Sequence, residues 1–322
     1  MAGPPDQPLS VVARGAAVKP WLGMLAALWL LIGAPAVAHP GWGIVRDSQG
    51  NIYYTDLAQV WKVAPDGTRT IAVPAVHTHE LYLDAEDNLY GEHLWYEGEA
   101  SDRWGHRVWR RAPDGTIRDV VPATVGFRTS YSFVRDAAGN MYWNDNGLVR
   151  RGAAPVSPRR FADIRSMTVS PAGDVYLISE GALIRIGADG AVRTLAEHLG
   201  ESSPALPFVG DHHQLMGLWL DPVGNAYVAV FGNFKVKRID PQGRVETVAR
   251  STFPWSPTGG FVAPDGRLWL LEYSVTNDAR IRMAEAPEPG RPATILALFG
   301  AGGLALAGLA AFVLVRRRRR AI

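Results

Sequence analysis

Five of the eight histidines in this 322-residue chain fall in two short stretches. His77 and His79 flank Thr78, His93 follows a little later, and His212 and His213 are adjacent. Residues two apart in a strand share a face, so His77 and His79 would point the same way. His93 would end the neighbouring strand, one strand spacing away. Three imidazoles within reach suit a divalent transition metal such as zinc, copper or iron. The plainer reading makes them polar side chains on a wet surface, bonded to nearby carboxylates. With a metal at His77, His79 and His93, His212 or His213 would serve as general base, because imidazole titrates near neutrality. A second set holds Trp42, Tyr131 and Arg165 beside the carboxylates Asp56, Asp145 and Glu272. The guanidinium fork of Arg165 suits a carboxylate or phosphate ligand; alternatively it pairs with Asp145 or Glu272 across the mouth of a site.

These residues are far apart in the sequence, and only a repeat brings them together. The run D-S-Q-G-N-I-Y-Y-T-D at 47–56 is a tight turn followed by a short β-prone stretch. Its turn recurs at Asp84, Asp136, Ser170, Asp221 and Ala263, each time with an aromatic residue six positions on. A companion, V-W-K-V-A-P-D-G at 60–67, recurs in register at 108–115, 183–190 and 236–243, and in degraded form at 148–152 and 280–283. Four short strands in about 40 residues make one propeller blade. Six copies therefore predict an all-β six-bladed propeller of four-stranded antiparallel blades over residues 39–284.

The strand before each turn is the inner one, over 42–46, 79–83, 131–135, 165–169, 216–220 and 258–262. Trp42, His79, Tyr131, Arg165, Met216 and Thr258 open these strands. Asp56, His93, Asp145, Ser179, Val230 and Glu272 close the second strands. Both sets should face the end of the channel that carries the two long connections, 93–107 and 196–214, which makes that face the expected site. Too few residues follow 283 for a fourth strand in blade six. Closure there is expected to rest on side-chain packing between blades one and six.

Six copies of h-x-h-D-x-x-G-N-h-Y followed by h-x-R-h-x-P-D-G resemble NHL-repeat propellers and the wider senescence-marker-protein/gluconolactonase group. The resemblance covers residues 42–283 and speaks for the fold; such propellers host lactonases, lyases and pure binding modules. Gluconolactonase-type members hold a divalent cation with oxygen ligands at the channel mouth. At the matching positions this chain has Trp42 before Gly43, Met216 before Gly217 and Thr258 before Gly259, none an oxygen ligand of that set. No G-x-S-x-G, P-loop, H-E-x-x-H or strand-to-helix G-x-G-x-x-G is present.

The termini read separately. Residues 1–38 resemble a secretory signal peptide, with Arg14 and Lys19 before an apolar run at 21–32 and small residues Ala36, Val37 and Ala38 before the cut; an uncleaved anchor is the other reading. Residues 285–294 form a Pro-rich linker. Residues 295–315 carry no charge and would make a helix of about 31 Å, enough to cross a bilayer. Five arginines at 316–320 open a cytoplasmic basic tail, 316–322, which places the propeller outside the cytoplasm, in the periplasm or at the cell surface. Pro287-Glu288-Pro289, the apolar segment and the arginines also resemble the PEP-CTERM sorting signal of Gram-negative bacteria. In that case the helix is a transient signal. Outside the arginine run, 28 basic groups face 31 acidic ones, so nucleic acid is not an expected partner. With no cysteine, the propeller is held by its core alone.

The expected function is an exported, membrane-tethered module that captures a small ligand, glycan or protein partner at the channel mouth. The alternatives are a metal-dependent hydrolase or lyase built on the histidine centre, and a structural protein of the outer layer.

Overall fold

The computed structural model describes residues 40–97, 101, 103–125, 133–136, 138–207 and 209–284, apart from the side chains of Phe133 and His212. The expected signal segment (1–38), linker (285–294), membrane-spanning segment (295–315), basic tail (316–322) and Tyr131 lie outside the described residues. Among the described residues no helix is long and apolar enough to cross a membrane.

Six antiparallel sheets follow one another along the chain, and neighbouring strands in each are neighbours in sequence. Blade one is β1 (Ile44–Arg46), β2 (Ile52–Thr55), β3 (Val60–Val63) and β4 (Arg69–Val73). Blade two is β5 (Leu81–Leu83), β6 (Leu89–Tyr96), β7 (Trp104–Arg111) and β8 (Ile117–Val125). Blade three is β9 (Phe133–Arg135), β10 (Met141–Asp145), β11 (Leu148–Arg151) and β12 (Ala154–Arg160). Blade four is β13 (Ile164–Val169), β14 (Val175–Ser179), β15 (Ala182–Ile186) and β16 (Val192–Ala196). Blade five is β17 (Leu215–Leu220), β18 (Ala226–Val230), β19 (Lys235–Ile239) and β20 (Val245–Arg250). Blade six has three strands, β21 (Trp255–Val262), β22 (Leu268–Ser274) and β23 (Ala279–Met283).

The repeated turn has a physical lock. Asp47 accepts the Asn51 amide at 2.7 Å through one oxygen, and the Asn51 side chain (2.7 Å) and the Tyr53 hydroxyl (3.3 Å) through the other. Asp84, Asp136 and Asp221 make the same three contacts with their own Asn and Tyr. In these four blades the aromatic residue six positions after the turn is therefore a hydroxyl donor that ties the second strand to the turn. Gly50 takes φ +88°, and in blade two Asp87 takes the same left-handed place at φ +58°. Asp tolerates that conformation better than most residues.

One expectation is corrected. The stretch 93–107 is a strand extension for most of its length, with His93 opposite Arg107 and Tyr96 opposite Trp104. A Cβ on Gly105 would lie 1.8 Å from the Trp95 ring, so the small residue makes room for the indole across the hairpin. The other long connection is irregular, with one short 3-10 turn at Asp211–His213. Blade six closes on blade one as expected. Ile44 and Tyr54 of blade one pack in one apolar cluster with Leu270, Leu271 and Tyr273, and the Tyr273 hydroxyl donates to the Thr55 carbonyl at 3.0 Å.

Candidate functional site

The inner strands enclose a cavity of about 720 Å³ whose lining runs from Trp42, Glu80 and Ser166 at the loop-bearing end to Ser48, Pro171, Pro222 and Pro264 at the turn-bearing end. The two ends differ in exposure. Glu80, Ser166, Gly43, Gly217 and Gly259 are buried, whereas Ser48, Pro171, Pro222 and Pro264 are exposed. Among the described residues the lining is thus buried towards the loop-bearing end and exposed at the turns; residues 126–132, which lead into blade three on the loop-bearing side, lie outside the described residues.

Crowding marks the buried end. Gly43, Gly217 and Gly259 occupy the same register position in blades one, five and six, the position after the one that opens each inner strand. A methyl group there would stand 2.8 Å from the Leu81 amide nitrogen, 2.5 Å from the Thr258 carbonyl oxygen and 2.0 Å from the Trp42 carbonyl oxygen respectively. Neighbouring inner strands touch at this level, and only glycine fits. Glu80 and Ser166 hold the same register position in blades two and four and carry the polar groups of the buried end. Trp42 reaches across, its indole N–H donating to Glu80 Oε1 at 2.8 Å.

Two polar atoms in the wall are shielded from water and have no hydrogen-bond partner among the described residues: Ser166 Oγ and Trp219 Nε1. Tyr82 and Thr168, also in the lining, are hydrogen-bonded through their side chains. Burial, and then the Glu80 charge, push the Tyr82 phenol far above its usual range. A buried polar atom without a partner costs about 1–3 kcal/mol, so the wall is built at a cost that a bound polar ligand would remove.

The residues singled out from sequence divide as follows. Trp42 lines the cavity. Arg165, Asp56, Asp145 and Glu272 do not, and each has local work. Arg165 pairs with Asp163 at 2.6 Å, not with Asp145 or Glu272. Asp56 accepts the amides of Ala58 and Gln59 and the Trp61 indole, closing the β2–β3 turn. Asp145 holds Arg150 at 2.6 Å. Glu272, with no exposed surface, binds Ser251, Arg280 and Arg282 inside blade six. The register placed these side chains near one end of the disc, but the pleat turns them into their own blades.

The histidines are close together without forming a ligand set. His77 and His79 rings meet edge to face at 4.8 Å, and His93 Nδ1 accepts the His77 amide at 2.9 Å. His79 is buried, and burial lowers its pKa to about 4, so it is neutral. Its Nδ1 lies 3.5 Å from Glu92 Oε1. Burial also lowers the His93 pKa, helped by Arg107 and His77. Among the described residues no three His, Cys, Asp or Glu side chains converge as a metal site. His213 and the backbone of His212 stand in the short 3-10 turn, and His213 does not line the cavity.

Sequence reasoning passed over Glu80, Ser166 and Glu92. The signal was present one register step along: the position after Trp42, His79, Arg165, Met216 and Thr258 reads Gly, Glu, Ser, Gly, Gly. A carboxylate in a ring of the smallest residues marks a place where space was kept. Glu92 sits wholly buried behind it, accepting the His79 amide at 3.1 Å, and burial pushes its carboxyl up to about 8.

Neither a protein-family model nor a curated protein matches the chain. Solved structures do. An auxiliary nutrient binding protein from Bacteroides thetaiotaomicron aligns with TM-score 0.55 at 10% identity, over 77% of this chain and 70% of that one. One from Bacteroides ovatus aligns with TM-score 0.53 at 11% identity, over 78% and 70%. What is shared is the six-bladed fold. A virginiamycin B lyase from Staphylococcus aureus aligns more loosely, with TM-score 0.46 at 13% identity over 79% and 86%.

Proposed function

We propose that this protein is an exported, membrane-tethered propeller that captures a small polar ligand in its central channel. The observation that carries the reading is the cavity wall itself: about 720 Å³ of space bounded by a buried carboxylate and by two buried polar atoms that lack partners among the described residues. Pockets of this size, largely apolar with a few placed polar groups, suit small molecules. Two propellers of similar fold are described as auxiliary nutrient binding proteins, which agrees with capture as the role. Export and tethering rest on the terminal sequences, residues 1–38 and 295–322. A histidine-centred hydrolase or lyase has no converged ligand set among the described residues, so binding stands ahead of it.

Ser166 provides the test. In the ligand-free protein, Ser166→Ala removes a polar atom that has no partner among the described residues, so the melting temperature should rise, by the equivalent of about 1 kcal/mol. The same change should weaken any channel ligand severalfold. A thermal-shift screen of the full-length protein against monosaccharides, amines and small carboxylates supplies the ligands. If no compound shifts the melting curve, or if the hits bind the variant as well as the wild type, the channel is not the site.

A further inference from the structure

We infer that the ligand of this channel is an uncharged organic molecule that offers a hydrogen-bond acceptor to the Trp219 indole and a second polar group to Ser166. The inference rests on the channel being the binding site and adds the chemical class of what it takes.

Two neutral groups in the wall are left to be used. Ser166 is 1% exposed and Trp219 8%, both line the cavity, and neither Ser166 Oγ nor Trp219 Nε1 has a hydrogen-bond partner among the described residues. They belong to neighbouring blades, Ser166 on β13 and Trp219 on β17, and stand two register positions apart in the repeat. Two positions of strand cover about 7 Å along the channel, within the span of one small molecule. The chemistry of each group follows from its side chain. An indole N–H only donates, whereas a hydroxyl donates or accepts. The partner of Trp219 must therefore be an acceptor. Trp219 is also held still. Its ring stacks on Tyr227, with centroids 5.7 Å apart and planes 14° apart, and Gly260 leaves it room, since a Cβ there would lie 2.7 Å from the indole. The Ser166 hydroxyl turns about a single bond and adapts to what the indole selects.

The charged groups of the described lining, by contrast, are already engaged or stand at the rim. Asp47 and Asp221 are the hubs of their own turns, each holding amide, Asn and Tyr donors. Glu80 is engaged, with the Trp42 indole N–H at 2.8 Å on one oxygen. Arg46 is exposed at the turns. An ion taken into the channel would give up its water without meeting an unengaged opposite charge along the buried part of this wall, and that is costly. An uncharged molecule gives up far less. Its carbon body would lie among Val45, Leu83, Leu218 and Val262 and the rings of Tyr82 and Phe261, all in the same lining.

Three probes of one outline decide the matter: para-hydroxybenzamide, para-hydroxybenzoate and para-hydroxybenzamidine, which carry zero, negative and positive charge at pH 7. The amide has a carbonyl acceptor at one end and a hydroxyl at the other. Calorimetric titration of the full-length protein should find it bound at least about tenfold more tightly than either ion. Trp219→Phe keeps a ring beside Tyr227 and removes the donor, and Ser166→Ala removes the hydroxyl. Each change should weaken the amide by about fivefold. The wild-type ratio and Ser166→Ala decide even if Trp219→Phe does not fold. An ion that binds as tightly as the amide, and is weakened by Ser166→Ala, would overturn the uncharged ligand and leave the channel as the site. An amide that both variants hold as well as the wild type does, or no binding of any probe at millimolar concentration, would overturn both.

Discussion

Glu92 and His79 form a pair that burial keeps uncharged. Both are almost without exposed surface, and each is pushed towards its neutral form, Glu92 up to about 8 from 4.5 and His79 down to about 4 from 6.5. The consequences for stability have opposite signs. Between pH 4.5 and 8 the folded chain keeps a proton on Glu92 that the unfolded chain has released, so stability falls as pH rises through that window. His79 is protonated in the unfolded chain below 6.5 but not in the folded one until about 4, so its contribution is lost as pH falls through that range. Of the two, only Glu92 acts above pH 6.5. Thermal unfolding should therefore show stability declining from pH 6.5 to 8, by something of the order of 2 kcal/mol. Glu92→Gln should flatten that decline. A wild-type protein equally stable at both pH values would show that Glu92 is ionised in the fold.

At the scale of the element, the turn lock carries the repeat. Asp221 takes the Asn225 amide at 2.9 Å, the Asn225 side chain at 2.7 Å and the Tyr227 hydroxyl at 3.2 Å. The Val223 amide donates to it as well, at 3.0 Å, so removing the hub strands four donors, and removing one donor strands one acceptor site. Asp221→Ala should cost roughly 2–3 kcal/mol and Tyr227→Phe roughly 1, with the double variant well short of the sum. Urea midpoints measure all three. Blade four departs from the pattern: Ser170 accepts the Asp174 amide at 3.1 Å, and Asp174 turns to Arg185 at 2.7 Å. The spacing of the turns was legible in the sequence, and so was the aromatic residue six positions on. Its hydroxyl bond back to the turn aspartate was not, because an aromatic residue in a strand reads first as core. The hairpin of β6 and β7 was misread as a loop because Gly105, a weak strand residue on its own, is there to receive Trp95.

The whole molecule depends on how its first and last blades meet. No fourth strand completes blade six among the described residues, so the join is made of packing around Ile44, Tyr54, Leu271 and Tyr273 and of the Tyr273–Thr55 hydrogen bond. Gly259 sits at the tightest point, with no room for a methyl group against the Trp42 carbonyl. Gly259→Ala must push apart backbone from backbone and should cost about 1–3 kcal/mol. Calorimetry should show it as a lower melting temperature, and an unchanged value would mean that the blades meet more loosely than a 2.0 Å approach implies. The same crowding narrows the ring at the level of Gly43, Gly217 and Gly259, so one packing constraint bears on both the join between blades and the width of the channel there.

By itself the sequence determined the number of blades, the place of each turn and the three-stranded last blade. These are local properties: a left-handed turn residue, a short β-prone run and the length of chain left over. Only the tertiary structure decided which side chains meet in the channel. The second strands of blades one, four and five are buried on both faces, so there alternation of polar and apolar residues does not tell one face from the other. One step of register separates His79, packed against Glu92, from Glu80, which lines the cavity. That step becomes visible when six inner strands are brought round a common axis.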